Sequence, residues 1–163
     1  SRRFRRLAGR LADDDADALL SALERQDVAA GEVVITQGSP FDALLLVWDG
    51  ELNVSIETGD GEREIGHVGP GAFLGEASLL DPGPASATVT ADQGCLLLRL
   101  DRPAFDGLCA ERPALACLLL EELSRVLASR VRAAGDRLED LLADGVTGNG
   151  LVGVAGRLHQ DGA

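Results

Sequence analysis

The stretch that decides the reading is Gly71-Ala72-Phe73-Leu74-Gly75-Glu76-Ala77-Ser78-Leu79-Leu80, followed after a short spacer by Pro84-Ala85-Ser86-Ala87-Thr88-Val89. Gly75 sits between an apolar pair and an acid, where a backbone without a Cβ can approach closely and take a strained turn. A short helix is expected to begin around Ala77 and Ser78. Its first N–H groups have no helical acceptor and suit an anion. The spacer Asp81-Pro82-Gly83 is acidic and turn-forming, and Ser86–Ala91 reads as a strand.

Outward from this stretch, short apolar runs are cut by glycine. They are Val33–Thr36, Ala43–Asp49, Glu51–Glu57, Arg63–Val68, Ser86–Ala91 and Cys95–Leu100. Leu52, Val54 and Ile56 alternate with polar residues, as in a half-buried strand. Gly59-Asp60-Gly61 signals a hairpin, because glycine supplies positive φ. Six or more short strands without long helices between them predict a sandwich or jelly roll. Helices flank this β region. Asp13-Asp14-Asp15 supplies an N-cap and first-turn acids for a helix with Ala16, Leu19, Leu20 and Leu23 on one face. Asp101 caps a short helix, roughly Arg102–Ala110, and Pro113 opens a long one running to about Ala143. Late in that helix Leu127, Val131, Ala134, Leu138 and Leu141 form an a/d seam. The expected organisation is an N-terminal helical segment (1–27), a β jelly roll (28–100) with the Gly75 cassette at 71–89, C-terminal helices (101–143) and a glycine-rich tail or linker (144–163).

The chain has 163 residues and a formal net charge of −12, the wrong sign for gripping a nucleic-acid backbone. All fifteen basic residues are arginine. Five of them (Arg2, Arg3, Arg5, Arg6, Arg10) cluster at the start, either to touch a membrane surface or nucleic acid or to pair with the acidic remainder. Cys95, Cys109 and Cys117 lack C-x-x-C spacing and read as free, buried thiols in a reducing cytoplasm. No apolar run approaches the roughly 18–20 residues that cross a bilayer. Trp48 is expected in the core, and His67 in core or rim packing. No His/Cys/Asp cluster suggests a metal, and no nucleophile–base pairing suggests an enzyme.

The whole order resembles the cyclic nucleotide-binding domains of bacterial regulators and protein-kinase regulatory subunits, over about residues 5–142. The motif blocks are A-G-E-V-V-I-T-Q-G-S-P-F-D-A-L-L-L-V-W-D-G-E-L-N-V (Ala30–Val54), V-G-P-G-A-F-L-G-E (Val68–Glu76) and the cassette itself. The resemblance implies a mainly β fold, a double-stranded β-helix or jelly roll with an N-terminal helix and a long C-terminal helix that acts as lid. It implies cAMP or cGMP as ligand and no other cofactor. Gly75, Glu76, Ala77 and Ser78 would frame the sugar and phosphate, with Glu76 accepting the ribose 2′-hydroxyl. Ser86 would add a hydroxyl near phosphate and guanine.

Ala85 departs from the pattern, because the family places there the arginine that pairs with the cyclic phosphate. Three readings stay open: a domain that binds no cyclic nucleotide, one that takes a different ligand, or one in which another cation substitutes. Arg125 and Arg130 on the long helix are the candidates for that cation. The favoured function is a regulatory sensor domain of a larger signalling, transport or assembly protein, homodimeric through the C-terminal helix, with weakened or lost cAMP and cGMP binding. The alternative is a non-sensing interaction module that uses the same fold for assembly. With Ser1 in place of an initiator Met, the chain is expected to be part of a longer protein whose effector lies outside it. No helix-turn-helix fits, so nucleic-acid binding by this chain is not expected.

Overall fold

The computed structural model describes residue 7 and residues 9–147, with side chains through Glu139. Arg2, Arg3, Arg5 and Arg6, the tail beyond residue 147 and the side chain of Leu141 lie outside the described part. The elements given by the described residues from Asp13 onward are, in chain order, α1 (Asp13–Ala22), β1 (Glu24–Val28), β2 (Val33–Ile35), β3 (Pro40–Phe41), β4 (Ala43–Asp49), β5 (Leu52–Thr58), β6 (Gly61–Val68), β7 (Phe73–Leu74), α2 (Glu76–Leu80), β8 (Gly83–Pro84), β9 (Thr88–Ala91), β10 (Cys95–Asp101), α3 (Arg102–Glu111) and α4 (Pro113–Thr147).

Two four-stranded antiparallel sheets, ordered β1-β10-β4-β7 and β2-β9-β5-β6, form the jelly roll, and β3 pairs with β8 as a small third ribbon. Val28, Ile35, Leu45, Val47, Leu52, Leu74, Ala85, Val89, Ala91, Cys95 and Leu97 fill the space between the sheets. A fully buried aliphatic side chain of this kind contributes on the order of 1.5–3 kcal/mol. In β4 Ala43 to Val47 are all buried, not every second residue. The strand is covered on both faces, so it reads as a continuous apolar run.

The hairpin forms where Gly59-Asp60-Gly61 predicts it, with Thr58 opposite Gly61 and Gly61 at φ 110°. Asp101 Oδ1 accepts the Ala104 N–H at 2.9 Å and caps α3. The N-terminal segment departs from expectation. Strand β1 starts at Glu24, inside the stretch read as helical, and pairs with β10. Its sequence Glu-Arg-Gln-Asp-Val is polar because it is an edge strand with only Val28 buried. The α1 N-cap is Ala12, not an aspartate, and Asp13, Asp14 and Asp15 occupy the first turn. Leu20 is 58% exposed, so the buried face of α1 is narrower than the sequence suggested.

Trp48 is a further correction: it is 48% exposed. Leu97 pairs with Val47 and Leu96 with Asp49, so Trp48 is the extra residue of a bulge and is turned out of the ladder. The cysteines are free, but only Cys95 is buried. Cys109 and Cys117 follow the buried Leu108 and Ala116 and fall on the solvent faces of their helices. Of the basic cluster, Arg10 lies 2.8 Å from Glu121 and 3.6 Å from Glu122, pairing with the acidic remainder as the second reading held.

Helix α4 continues to Thr147, past the expected stop at Ala143. By internal contacts the chain divides into residues 1–125 and 126–163. In the second unit every described side chain from Arg130 to Glu139 is exposed, including Val131 at 71% and Leu138 at 58%.

His67 sits on the rim and is half exposed. Its Nδ1 is 2.8 Å from Asp92 Oδ2 and its Nε2 is 2.9 Å from Glu64 Oε1, which braces β6 against the loop after β9. The two hydrogen bonds, Asp92 first and Glu64 second, raise its pKa above the ordinary histidine value. A raised folded pKa gives stability that is complete below the unfolded value of about 6.5 and is lost as pH rises through the folded value. Urea unfolding of wild type and His67→Gln at acidic and alkaline pH checks this. The stability gap between them should be wider on the acid side, and an equal gap at both would contradict it.

Candidate functional site

The turn before α2 is built around Gly75. It lies at φ 74°, in the left-handed region, and serves as the N-cap of α2 without a side-chain cap. A Cβ there would come within 2.6 Å of Phe41 Cε1 and collide with the carbonyl of Ala43. Only glycine fits this conformation and this space. The turn delivers Glu76, 2% exposed, to the head of a five-residue helix. The first helical bond runs from Leu79 N to Gly75 O at 2.9 Å. The amides of Glu76, Ala77 and Ser78 precede it and therefore lack intrahelical acceptors. Ala77 is exposed and Ser78 half-buried.

Ala85 is held from the other side. Its N–H donates to Ser39 O at 2.9 Å, and Gly38 N–H donates to Ala85 O at 2.8 Å. The preceding strand β8 pairs Gly83 with Phe41 and Pro84 with Pro40. The segment 38–41 thus touches both halves of the cassette: the Phe41 ring abuts Gly75, and its backbone holds the approach to Ala85. The Ala85 side chain is 7% exposed and belongs to the core cluster with Ile35, Leu74 and Val89. Position 85 therefore points a neutral methyl into the sandwich. Ser86 is exposed.

Two residues complete the frame that sequence reasoning missed. Arg102 Nη1 donates to Leu79 O at 3.1 Å and Leu80 O at 3.4 Å, closing the C-terminal end of α2. Phe41 is the other. Nothing local announces either role, since each partner lies over twenty residues away along the chain; only a helix-capping cation is a general expectation. Arg125 donates to Glu122 at 2.7 Å and also pairs with Glu121, so it is engaged on its own helix. Arg130 is exposed and belongs to the second unit.

Residues 25–112, more than half of the chain, match the family described as "Cyclic nucleotide-binding domain". The chain belongs to the cyclic nucleotide-binding domain family. A "CRP-like cAMP-activated global transcriptional regulator" of Mycobacterium tuberculosis is 33% identical over 132 residues, covering 80% of this chain and 57% of the regulator. The crystal structure of a cyclic nucleotide-binding domain from Methylobacillus flagellatus KT superposes with a TM-score of 0.75 at 31% identity, covering 80% of this chain and 74% of that one. Thermus thermophilus Catabolite Activator Protein gives a TM-score of 0.73 at 35% identity, covering 84% and 62%. The chain thus spans a little under 60% of the Mycobacterium regulator's length. Like its family, it is a regulatory domain built on a jelly roll with an N-terminal and a long C-terminal helix. No helix among the described residues is long and apolar enough to cross a membrane.

Proposed function

We propose that this chain is the sensor domain of a larger regulatory protein, with cAMP and cGMP affinity weakened by the neutral residue at position 85. The observation that carries the proposal is the buried methyl of Ala85 between two intact halves of the cassette. A guanidinium–phosphate pair in a sheltered pocket contributes on the order of 1.5–3 kcal/mol. Without it, what remains for a cyclic nucleotide is the amide cradle at Glu76–Ser78, the carboxylate of Glu76 and the apolar sandwich wall. A free-thiol set of cysteines supports a reducing, cytoplasmic setting.

In this proposal Glu76 accepts the ribose 2′-hydroxyl. Its burial behind the Gly75 turn supports the role, because a carboxylate so sheltered makes a strong hydrogen bond. Glu76→Gln and a 2′-deoxy analogue should each weaken binding of whichever cyclic nucleotide is accepted, by about tenfold or more. Equal affinity for the ribo and deoxy forms, measured by calorimetry, would remove Glu76 from the site.

The long helix is proposed to pair with a second copy. The exposed Val131 and Leu138 lie seven residues apart, the spacing of one heptad position, and an apolar seam of this kind is covered when two helices pair. Leu138→Asp should convert a dimer into a monomer in sedimentation while leaving the β-sheet circular dichroism intact. A wild-type chain that stays monomeric at high concentration argues against the dimer. The assembly reading, in which the domain senses nothing, has its own signature. It predicts silence with cAMP, cGMP and cyclic dinucleotides, and no recovery when an arginine is placed at position 85.

A further inference from the structure

The jelly roll holds a cavity of about 410 Å³ at the edge strands β1 and β2. None of its lining residues belongs to the 71–89 cassette. Its lining is mixed: Val28, Val34, Phe41 and Leu45 supply an apolar patch, and Gln26, Asp27, Glu32 and Arg99 make the larger part of it polar. Val34 reaches it through a bulge: Val33 pairs with Thr90 and Ile35 with Val89, which leaves Val34 as the extra residue of β2.

Arg99 enters this cavity from β10. It stands opposite Leu45, which points into the core. Its Nε is buried and, among the described residues, meets no hydrogen-bond acceptor. Its Nη2 lies 3.6 Å from Asp42 Oδ1, a loose ion pair beyond hydrogen-bond reach. A buried N–H without an acceptor is costly, and the guanidinium edge formed by Nε and one Nη suits two carboxylate oxygens at once. The two acids that line the cavity, Asp27 and Glu32, are engaged elsewhere. Arg25 holds Asp27 at 2.9 Å, and Glu32 Oε2 accepts the Ala29 N–H at 3.0 Å. They still carry negative charge, which disfavours a ligand with more than one.

We propose that this cavity is a binding site for a small monocarboxylate with an apolar body, its carboxylate on the Arg99 guanidinium and its hydrocarbon against Phe41, Leu45 and Val34. The site is separate from the cyclic-nucleotide cassette but shares the Phe41 side chain that abuts Gly75, so an occupant rests against a wall of that turn.

Benzoate is a suitable probe, with benzyl alcohol as its neutral counterpart and phthalate as its dianion. Titration of the chain followed by amide NMR should show saturable binding of benzoate, at least about tenfold tighter than either comparison compound. The shifts should fall on Gln26, Val34 and Phe41 rather than on Gly75 to Ser78. Arg99→Met should abolish the preference for benzoate over benzyl alcohol. Asp42→Asn, at an exposed position, should tighten benzoate by removing the competing carboxylate, and it tests the proposal even if the Arg99 variant fails to fold. Equal binding of benzoate and benzyl alcohol, shifts confined to the cassette, an Asp42→Asn variant that binds benzoate no better, or no saturable shift at about 10 mM benzoate would each overturn the proposal.

Discussion

Replacing Ala85 by arginine should strengthen cAMP binding by about 10- to 150-fold, at ~1.4 kcal/mol per decade. The residue at position 85 is already held in place. Its methyl is buried in the sandwich, its N–H and carbonyl are bonded to residues 38 and 39, and Ser-Ala-Thr-Val follows it as the family pattern does. The gain has a cost in the ligand-free state. An arginine at a 7% exposed site within the apolar core cluster buries a charge with no phosphate to meet it. The variant should therefore unfold at lower urea than wild type when alone, and recover when cAMP is added, because a ligand bound only by the folded state stabilises it. Ala85→Gln matches much of the bulk without the charge and should show neither the affinity gain nor the rescue. If Ala85→Arg and Ala85→Gln bind cAMP equally, the missing charge is not what limits this site.

Gly75→Ala should destabilise the domain by about 2–4 kcal/mol, combining left-handed backbone strain with steric overlap. At φ 74° an alanine is strained, and its Cβ meets the Ala43 carbonyl, which belongs to a fully buried stretch of β4 and has little room to yield. The Phe41 ring can turn aside; the backbone carbonyl cannot do so cheaply. Ala77→Gly, two residues on and exposed, should lose only about 1 kcal/mol or less by helix propensity. Urea unfolding of both variants separates the two expectations. A Gly75→Ala protein as stable as wild type would mean that the tight turn does not control the placement of Glu76.

The same geometry explains which parts of the fold can be read from the chain. The bounds of Ala43–Asp49 were legible, because burial of Ala43 to Val47 on both faces leaves an uninterrupted apolar run. Strand β1 was not, because an edge strand with four solvent-facing or half-buried residues has the composition of a loop. The two-residue strands β3, β7 and β8 have no period to detect; they exist because β3 and β8 must hold the cassette and β7 must lead into it. Trp48 misled for a different reason. Hydrophobicity predicts burial on average, but a bulge turns one residue out of the ladder, and nothing in the local sequence marks which one. In the cassette, the turn at Gly75 was legible because a left-handed, crowded backbone restricts the residue to glycine. Phe41 and Arg102 were not, since their partners are distant in sequence and meet only once the sandwich closes. Arg99 was likewise silent, as an arginine within Leu-Leu-Leu-Arg-Leu gives no sign that it faces the interior.

Calorimetric titration of the unmodified chain with cAMP tests the central claim most directly. With the frame present and the position-85 charge absent, binding should be weak, with a dissociation constant above about 10 µM or no measurable saturation. A submicromolar constant would contradict the account, because the cassette would then need no arginine at position 85 to hold the phosphate.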